Sequence, residues 1–317
     1  MTARVLVTGG FGTIGGRLIG FLADIGYVVR VGARRGAPAW AAGIDTTIID
    51  VEAPADWSRA LEGVDAIVHL AALNDRDAKT DPARARRVGV DGTAALLEQA
   101  ERHGVARFVF MSTAHVYGTP YTGRIDELTP TAPASVYAET HLDAERLVES
   151  AHRTGALVGI RLRCSNGFGR PASPDAAIWQ VVFNDLCRQT VTTGSLTLTS
   201  PGLQHRNFIP FGEVCGAVAH VLGASNEVLD DGLFNLGSPR SMRILDAAHL
   251  VRDRAHTVLG VEPSLQVPPA TSPTDDRPVD FVIDKLVATG APLRGDVESE
   301  IDDLLRWCAR EFGEVRP

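Results

Sequence analysis

The 317-residue chain has no unbroken run of about 18 apolar residues, the length a helix needs to cross a bilayer, so no membrane span is expected. Cysteine is scarce. The four present, Cys164, Cys187, Cys215 and Cys308, lack the spacing of a metal site, and no metal is expected. They read as core or surface thiols of a reducing compartment. Positive charge is not in excess. The formal net charge is −8, which disfavours nucleic acid and anionic membrane as partners. The opening "MTARVLV" enters a strand almost at once and leaves no room for a secretory leader. A cytoplasmic protein is expected. No repeat and no low-complexity tail is found.

What is present is ordinary for a globular enzyme: 44% hydrophobic and 22% charged residues. Short apolar runs at Arg4–Val7, Val28–Val31, Thr46–Ile49, Ala66–Leu70, Phe108–Met111 and Val158–Leu162 read as strands buried on both faces. Between them, Ile14–Ile25, Ala55–Leu61, Pro82–Gly104 and Ser135–Thr154 read as helices. This β-α alternation predicts an α/β fold built on a doubly wound parallel sheet. After about residue 166 segments shorten, and proline and glycine become frequent, notably at Val267–Pro278. The expected division is residues 1–165 for a nucleotide-binding domain and 166–317 for a small lobe, with some strands of the lobe returning to the main sheet.

The stretch "VLVTGGFGTIGGRL" places Gly9, Gly12 and Gly15 between a strand and a helix. Gly9 permits a sharp turn, Gly12 clears space for a pyrophosphate to approach the backbone, and Gly15 permits close packing of helix on strand. The helix start then offers N–H groups and partial positive charge to phosphates. The end of the second strand reads "VGARRG", with Ala33 where an acid for a ribose 2′-hydroxyl is expected, followed by Arg34 and Arg35. Guanidinium groups suit a 2′-phosphate, so NADP is slightly favoured over NAD. Solvated loop charge is the alternative for both arginines. Asp50, ending the third strand, is either an acceptor for the adenine amino group or a turn residue.

These residues, together with "HLAA" (69–72), "FVFMSTAHVYG" (108–118) and Tyr137, resemble the extended short-chain dehydrogenase/reductases, the NAD(P)-dependent sugar-nucleotide epimerases and dehydratases. The likeness continues through "RCSNGFGRP", "SPGLQHRNFIPFGEV", "FNLGS" and "RPVDFVIDKLVATGAP", so it covers the whole chain. It implies a Rossmann-type sheet with a small C-terminal substrate-binding lobe. It also implies that Thr13, Ile14, Val51, Leu70, Ala71 and Ala72 stand against the cofactor. Tyr137 falls at the acid/base position and Thr113 at the hydroxyl that orients the substrate oxygen. The family's Tyr-x-x-x-Lys lysine is replaced by His141, and an asparagine of the family falls at Gly89.

Four residues of spacing puts Tyr137 and His141 on one helix face, so His141 reaches the region a lysine would reach, and one of its ring N–H groups could bond a ribose hydroxyl. Tyrosine ordinarily ionises near pH 10, and a histidine assists its ionisation only while protonated. A working but weaker, more pH-sensitive pair is expected. His115 stands where dehydratases carry an acid, and serves as a base or a hydrogen-bonding group. By resemblance Asn166, Arg206 and Arg277 meet the phosphates or sugar of a nucleotide-sugar substrate, with Tyr117 a wall of the sugar pocket or a core residue. Pro210 and Gly212 depart from the family pattern and put that loop in doubt. The resemblance also implies a homodimer formed through the helices at Pro82–Gly104 and Ser135–Thr154, although their apolar stripes could equally face the monomer core. Epimerase and ketoreductase both remain open. So do a reductase of a non-nucleotide carbonyl and a dinucleotide-binding regulatory protein whose catalysis has lapsed.

Overall fold

Val5 and Val7 point to one side of the first strand and Leu6 to the other, and all three are fully buried. Each side carries its own apolar cluster. Val5 and Val7 pack with Leu18, Leu22 and Val214; Leu6 packs with Ile67, Leu96, Phe108 and Val148. A strand that is apolar on both faces is the signature of a sheet covered by helices on both sides.

The computed structural model describes residues 3–270 and 276–313, so residues 271–275 of the Val267–Pro278 stretch lie outside the described residues. The first half runs β1 (Arg4–Thr8), α1 (Gly15–Asp24), β2 (Val28–Ala33), β3 (Thr46–Ile48), α2 (Ser58–Leu61), β4 (Ala66–His69), α3 (Asp75–Thr80), α4 (Pro82–Arg86), a π-helical turn (Arg87–Asp91), α5 (Gly92–Arg102), β5 (Arg107–Thr113), β6 (Gly123–Ile125), α6 (Val136–Arg153) and β7 (Val158–Cys164). The second half adds β8 (Asn166–Phe168), α7 (Val182–Thr193), β9 (Ser195–Thr197), β10 (His205–Pro210), α8 (Phe211–Gly223), α9 (Asn226–Leu229), β11 (Leu233–Leu236), β12 (Ser241–Arg243), α10 (Ile244–Leu259), β13 (Ser264–Gln266), β14 (Val279–Phe281), α11 (Asp284–Ala288) and α12 (Val297–Phe312).

The main sheet has seven strands in the order β11-β7-β5-β4-β1-β2-β3, all parallel. Its order reverses between β1 and β4, and in such sheets ligands bind at that switch, beyond the carboxyl ends of the strands. A third apolar cluster, with Phe168, Phe183, Val251, Leu304 and Trp307, forms the core of the C-terminal half. No helix among the described residues is long and apolar enough to cross a membrane.

Two helices differ from expectation. The segment expected as one helix over Pro82–Gly104 is α4 and α5 joined by the π turn, with Gly89 inside that turn. The helix expected from Ala55 begins only at Ser58. The apolar stripes of α5 and α6 face the monomer's own core: Leu96, Leu97 and Ala100 are buried there, as are Leu142, Ala144, Val148 and Ala151.

Candidate active site

Gly9 has φ +69, a left-handed conformation that favours glycine, and the Gly12 N–H closes the turn on its carbonyl at 2.9 Å. A Cβ on Gly15 would stand 2.3 Å from the Gly9 carbonyl oxygen, so that position is closed by backbone. Gly12 is different. A Cβ there would meet only the Gly9 carbonyl, at 3.1 Å, and would otherwise fill open cavity. The loop is therefore a cradle kept clear on its ligand side, ahead of α1, whose own N–H groups from Gly16 onward already bond Gly12 and Ile14 carbonyls and whose positive dipole end faces the loop. A dinucleotide fits it.

Two cavities meet at this loop. One, about 410 Å³, is lined by Gly9, Gly12, Thr13, Ile14, Gly15, Leu70 and Ala72, and also by Thr113, Tyr137, His141 and Ser165. The other, about 290 Å³, runs from Gly9–Gly12 past Ala33, Arg34, Ile49 and Val51 to Leu70–Leu73, Arg84 and Val88. Arg35 lines a neighbouring groove with Phe11, Arg34 and Trp40. Asp50 is absent from the walls of these three cavities; its carboxylate accepts the Glu52 N–H at 3.0 Å, which makes it a turn residue.

Ser135 caps α6 by accepting the Ala138 N–H, and the first turns of that helix carry Tyr137 and His141 with ring centroids 4.3 Å apart. Burial pushes the Tyr137 phenol up to about 12, and a hydrogen bond with Thr113 opposes the rise. His141 is buried, and its Nδ1–H donates to the Tyr137 carbonyl at 2.7 Å. That bond takes up the Nδ1–H, so in the neutral ring Nε2 carries the lone pair and accepts. Burial holds its pKa below the ordinary histidine value, although the Tyr137 carbonyl and Glu145 act in the other direction. The expectation of a ring N–H offered to a ribose hydroxyl is therefore corrected. The donor edge is bound to backbone, and the second nitrogen accepts. No lysine-like positive charge stands beside Tyr137 at neutral pH.

His115 faces Tyr137 edge-on at 6.0 Å, and its Nδ1 is hydrogen-bonded to Thr119 at 2.9 Å. Burial lowers its pKa, with Asp75 acting to raise it and Arg206 to lower it. One of the Arg206 nitrogens donates to the His205 carbonyl. Asn166 donates its amide N–H to the Asn207 carbonyl at 2.8 Å, tying β8 to β10. Tyr117 is a core residue rather than a pocket wall. It is buried, donates to Asn235 at 2.7 Å and accepts from Arg163 at 2.9 Å. Arg277 precedes β14. At Gly89 a Cβ would come within 3.3 Å of Thr140 Cβ, so a side chain there would press on α6 beside His141.

Several residues escaped the sequence reading. Ser165 lines the 410 Å³ cavity, and its buried hydroxyl lacks a partner among the described residues. His69, inside the quoted "HLAA", is fully buried between the Thr8 and Thr93 hydroxyls, at 2.6 and 3.0 Å, with its pKa lowered to about 3 by burial. Beneath the cavity, Glu145 receives Arg163 through Nε at 3.0 Å and Nη2 at 2.7 Å, and also the Ser112 hydroxyl. Glu145 lies one turn beyond His141, and that spacing was the available signal.

Residues 5–237 match the profile of the NAD dependent epimerase/dehydratase family. The chain belongs to that family. Among curated proteins it is similar to a dTDP-glucose 4,6-dehydratase of Streptomyces niveus, 34% identical over 173 residues that cover 54% of this chain and 50% of that protein. It is also similar to an uncharacterised UDP-glucose epimerase of Bacillus subtilis (strain 168), 29% identical over 203 residues, 63% of this chain and 61% of that one. The chain thus spans about half the length of the curated relatives it matches. Among solved structures, the UDP-glucose 4-epimerase of Thermus thermophilus in complex with NAD is 25% identical with a TM-score of 0.78, covering 98% of this chain and 99% of that one.

Proposed function

We propose that the protein is an NAD(P)-dependent epimerase or ketoreductase acting on a nucleotide sugar or related polyol. The observation that carries this reading is the convergence of the Tyr137 phenol, the Thr113 hydroxyl and the glycine loop on one cavity. A bound nicotinamide supplies the hydride acceptor or donor. Gly9, Gly12, Thr13, Ile14, Gly15, Val51, Leu70, Ala71 and Ala72 would hold the dinucleotide. Thr113 orients the substrate oxygen. Tyr137, a protonated phenol at neutral pH, donates a proton to that oxygen as a carbonyl is reduced. The reverse step requires its ionisation. Moving a pKa from about 12 to about 7 takes roughly 7 kcal/mol of preferential stabilisation. With His141 neutral, that stabilisation has to come from the oxidised cofactor and Thr113, so the reductive half is the better served.

NADP is favoured by Arg34 and Arg35 and by the absence of an acid at Ala33. Arg206 and Arg277, with Asn166, support a diphosphate-bearing substrate by resemblance. His115 acts from the sugar side as a hydrogen-bonding group or base. The homodimer and the cytoplasmic location stay as proposals, the latter supported by four buried, free thiols.

The test is turnover of a panel of UDP- and dTDP-sugars and their 4-keto forms, following NADPH absorbance and epimer formation. Retained cofactor with epimer formed supports epimerisation; loss of NADPH absorbance supports reduction. No turnover by the wild type, with dinucleotide binding intact in both wild type and Tyr137→Phe, would transfer the protein to the regulatory reading. Unchanged substrate affinity in Arg206→Ala and Arg277→Ala would point to a non-nucleotide carbonyl.

A further inference from the structure

We propose that Arg84 is a cofactor-selecting residue, a guanidinium that joins Arg34 in receiving the 2′-phosphate of NADP. This rests on the NADP reading given above. The 290 Å³ cavity has a floor of Ile49, Val51 and Val88, suited to a flat base, and among the described residues its only charged lining groups are Arg34 and Arg84. They reach it from different parts of the chain. Arg34 follows β2, while Arg84 sits on α4, placed by the Asp81 carboxylate that accepts its backbone N–H at 2.9 Å.

Glu52 holds the two sides together. Its own place is fixed by the Asp50 turn. Arg84 Nε donates to its two oxygens at 3.1 and 2.9 Å, Arg87 donates at 3.3 Å, and Arg34 stands 4.0 Å away. The Arg84 hydrogen bond is the main cause of a Glu52 pKa below the ordinary value, so the acid is ionised at neutral pH. Three guanidiniums against one carboxylate leave these four side chains with a net charge of about +2, reduced by Asp81 and Asp77, which also act on Arg84; the positive side of the cluster suits a phosphate. The clamp engages one of the five N–H donors of Arg84, so the planar fork keeps donors for a phosphate at the cavity rim. A bare ribose diol asks instead for an acceptor. Ala33 offers none, and Glu52 is already bound by Arg84 and Arg87.

The probes are adenosine 2′,5′-bisphosphate and 5′-AMP, which differ only in the 2′-phosphate, titrated calorimetrically into the full chain. The wild type is expected to bind the bisphosphate more tightly. Arg84→Met should weaken the bisphosphate about tenfold or more and leave 5′-AMP within about twofold, since a charge-assisted contact is lost while the base pocket stays. Arg84→Lys should fall between, keeping the charge without the fork. Arg86→Met, whose guanidinium pairs with Asp143 outside this cluster and outside the cavity lining, should change neither ligand. Equal loss of both ligands in Arg84→Met, or no loss, would overturn the role assigned to Arg84 while leaving NADP preference standing. A wild type that binds both probes equally would overturn the NADP reading itself, and the proposal with it.

Discussion

The group at position 141 decides how the phenol at 137 behaves, and the sequence could name that group but not its state. Tyr137→Phe should lower kcat by about 100-fold or more and leave dinucleotide affinity unchanged, as expected for loss of an acid/base group. His141→Lys should bring a permanent cation beside the phenol. Its expected effect is a fall of about one unit or more in the pH at which oxidative turnover reaches half its maximum, read from a pH–rate profile. An unchanged profile would show that the cofactor alone sets the ionisation. The Tyr-x-x-x-His spacing was legible because it is local. The tautomer was not, because it depends on a carbonyl one turn back and on burial from strands far away in sequence. Arg84 was illegible for a similar reason, since the acid that holds it is presented by the distant end of β3.

At the scale of elements, the glycine loop separates binding from folding. Gly12→Val should abolish dinucleotide binding with little change in melting temperature, because its side chain would enter cavity rather than backbone. Gly15→Ala should instead lower the melting temperature, since its Cβ would stand 2.3 Å from the Gly9 oxygen. Beneath the site, α6 is pinned to β7 by Glu145 and Arg163, both almost fully buried. Glu145→Gln leaves a buried guanidinium without its anion and should cost about 3–5 kcal/mol in urea unfolding, whereas Glu145→Leu with Arg163→Met together should cost less. The loop and the α6 assignment were readable from motif and periodicity. The break at Gly89 was not, because an apolar stripe looks continuous across a π turn.

For the whole molecule, stability should weaken in mild acid. His69 has a folded pKa of about 3 against an ordinary value of 6.5, so the unfolded chain takes up its proton first as pH falls. The contribution is complete above pH 6.5 and is reduced by about 2 kcal/mol at pH 5, with His141 acting in the same direction. Urea titrations at pH 7.5 and 5 of the wild type and His69→Gln should show a smaller pH slope in the variant. Association is a separate question. With their apolar stripes turned inward, α5 and α6 present Glu98, Arg102 and Arg146 outward, so a dimer through them should loosen at high ionic strength in sedimentation. Finally, β11 enters the main sheet beside β7 from more than sixty residues downstream. A fragment ending near residue 165 would therefore carry a bare row of strand amides and carbonyls along β7. Such a piece should be recovered as aggregate rather than as an independent nucleotide-binding unit.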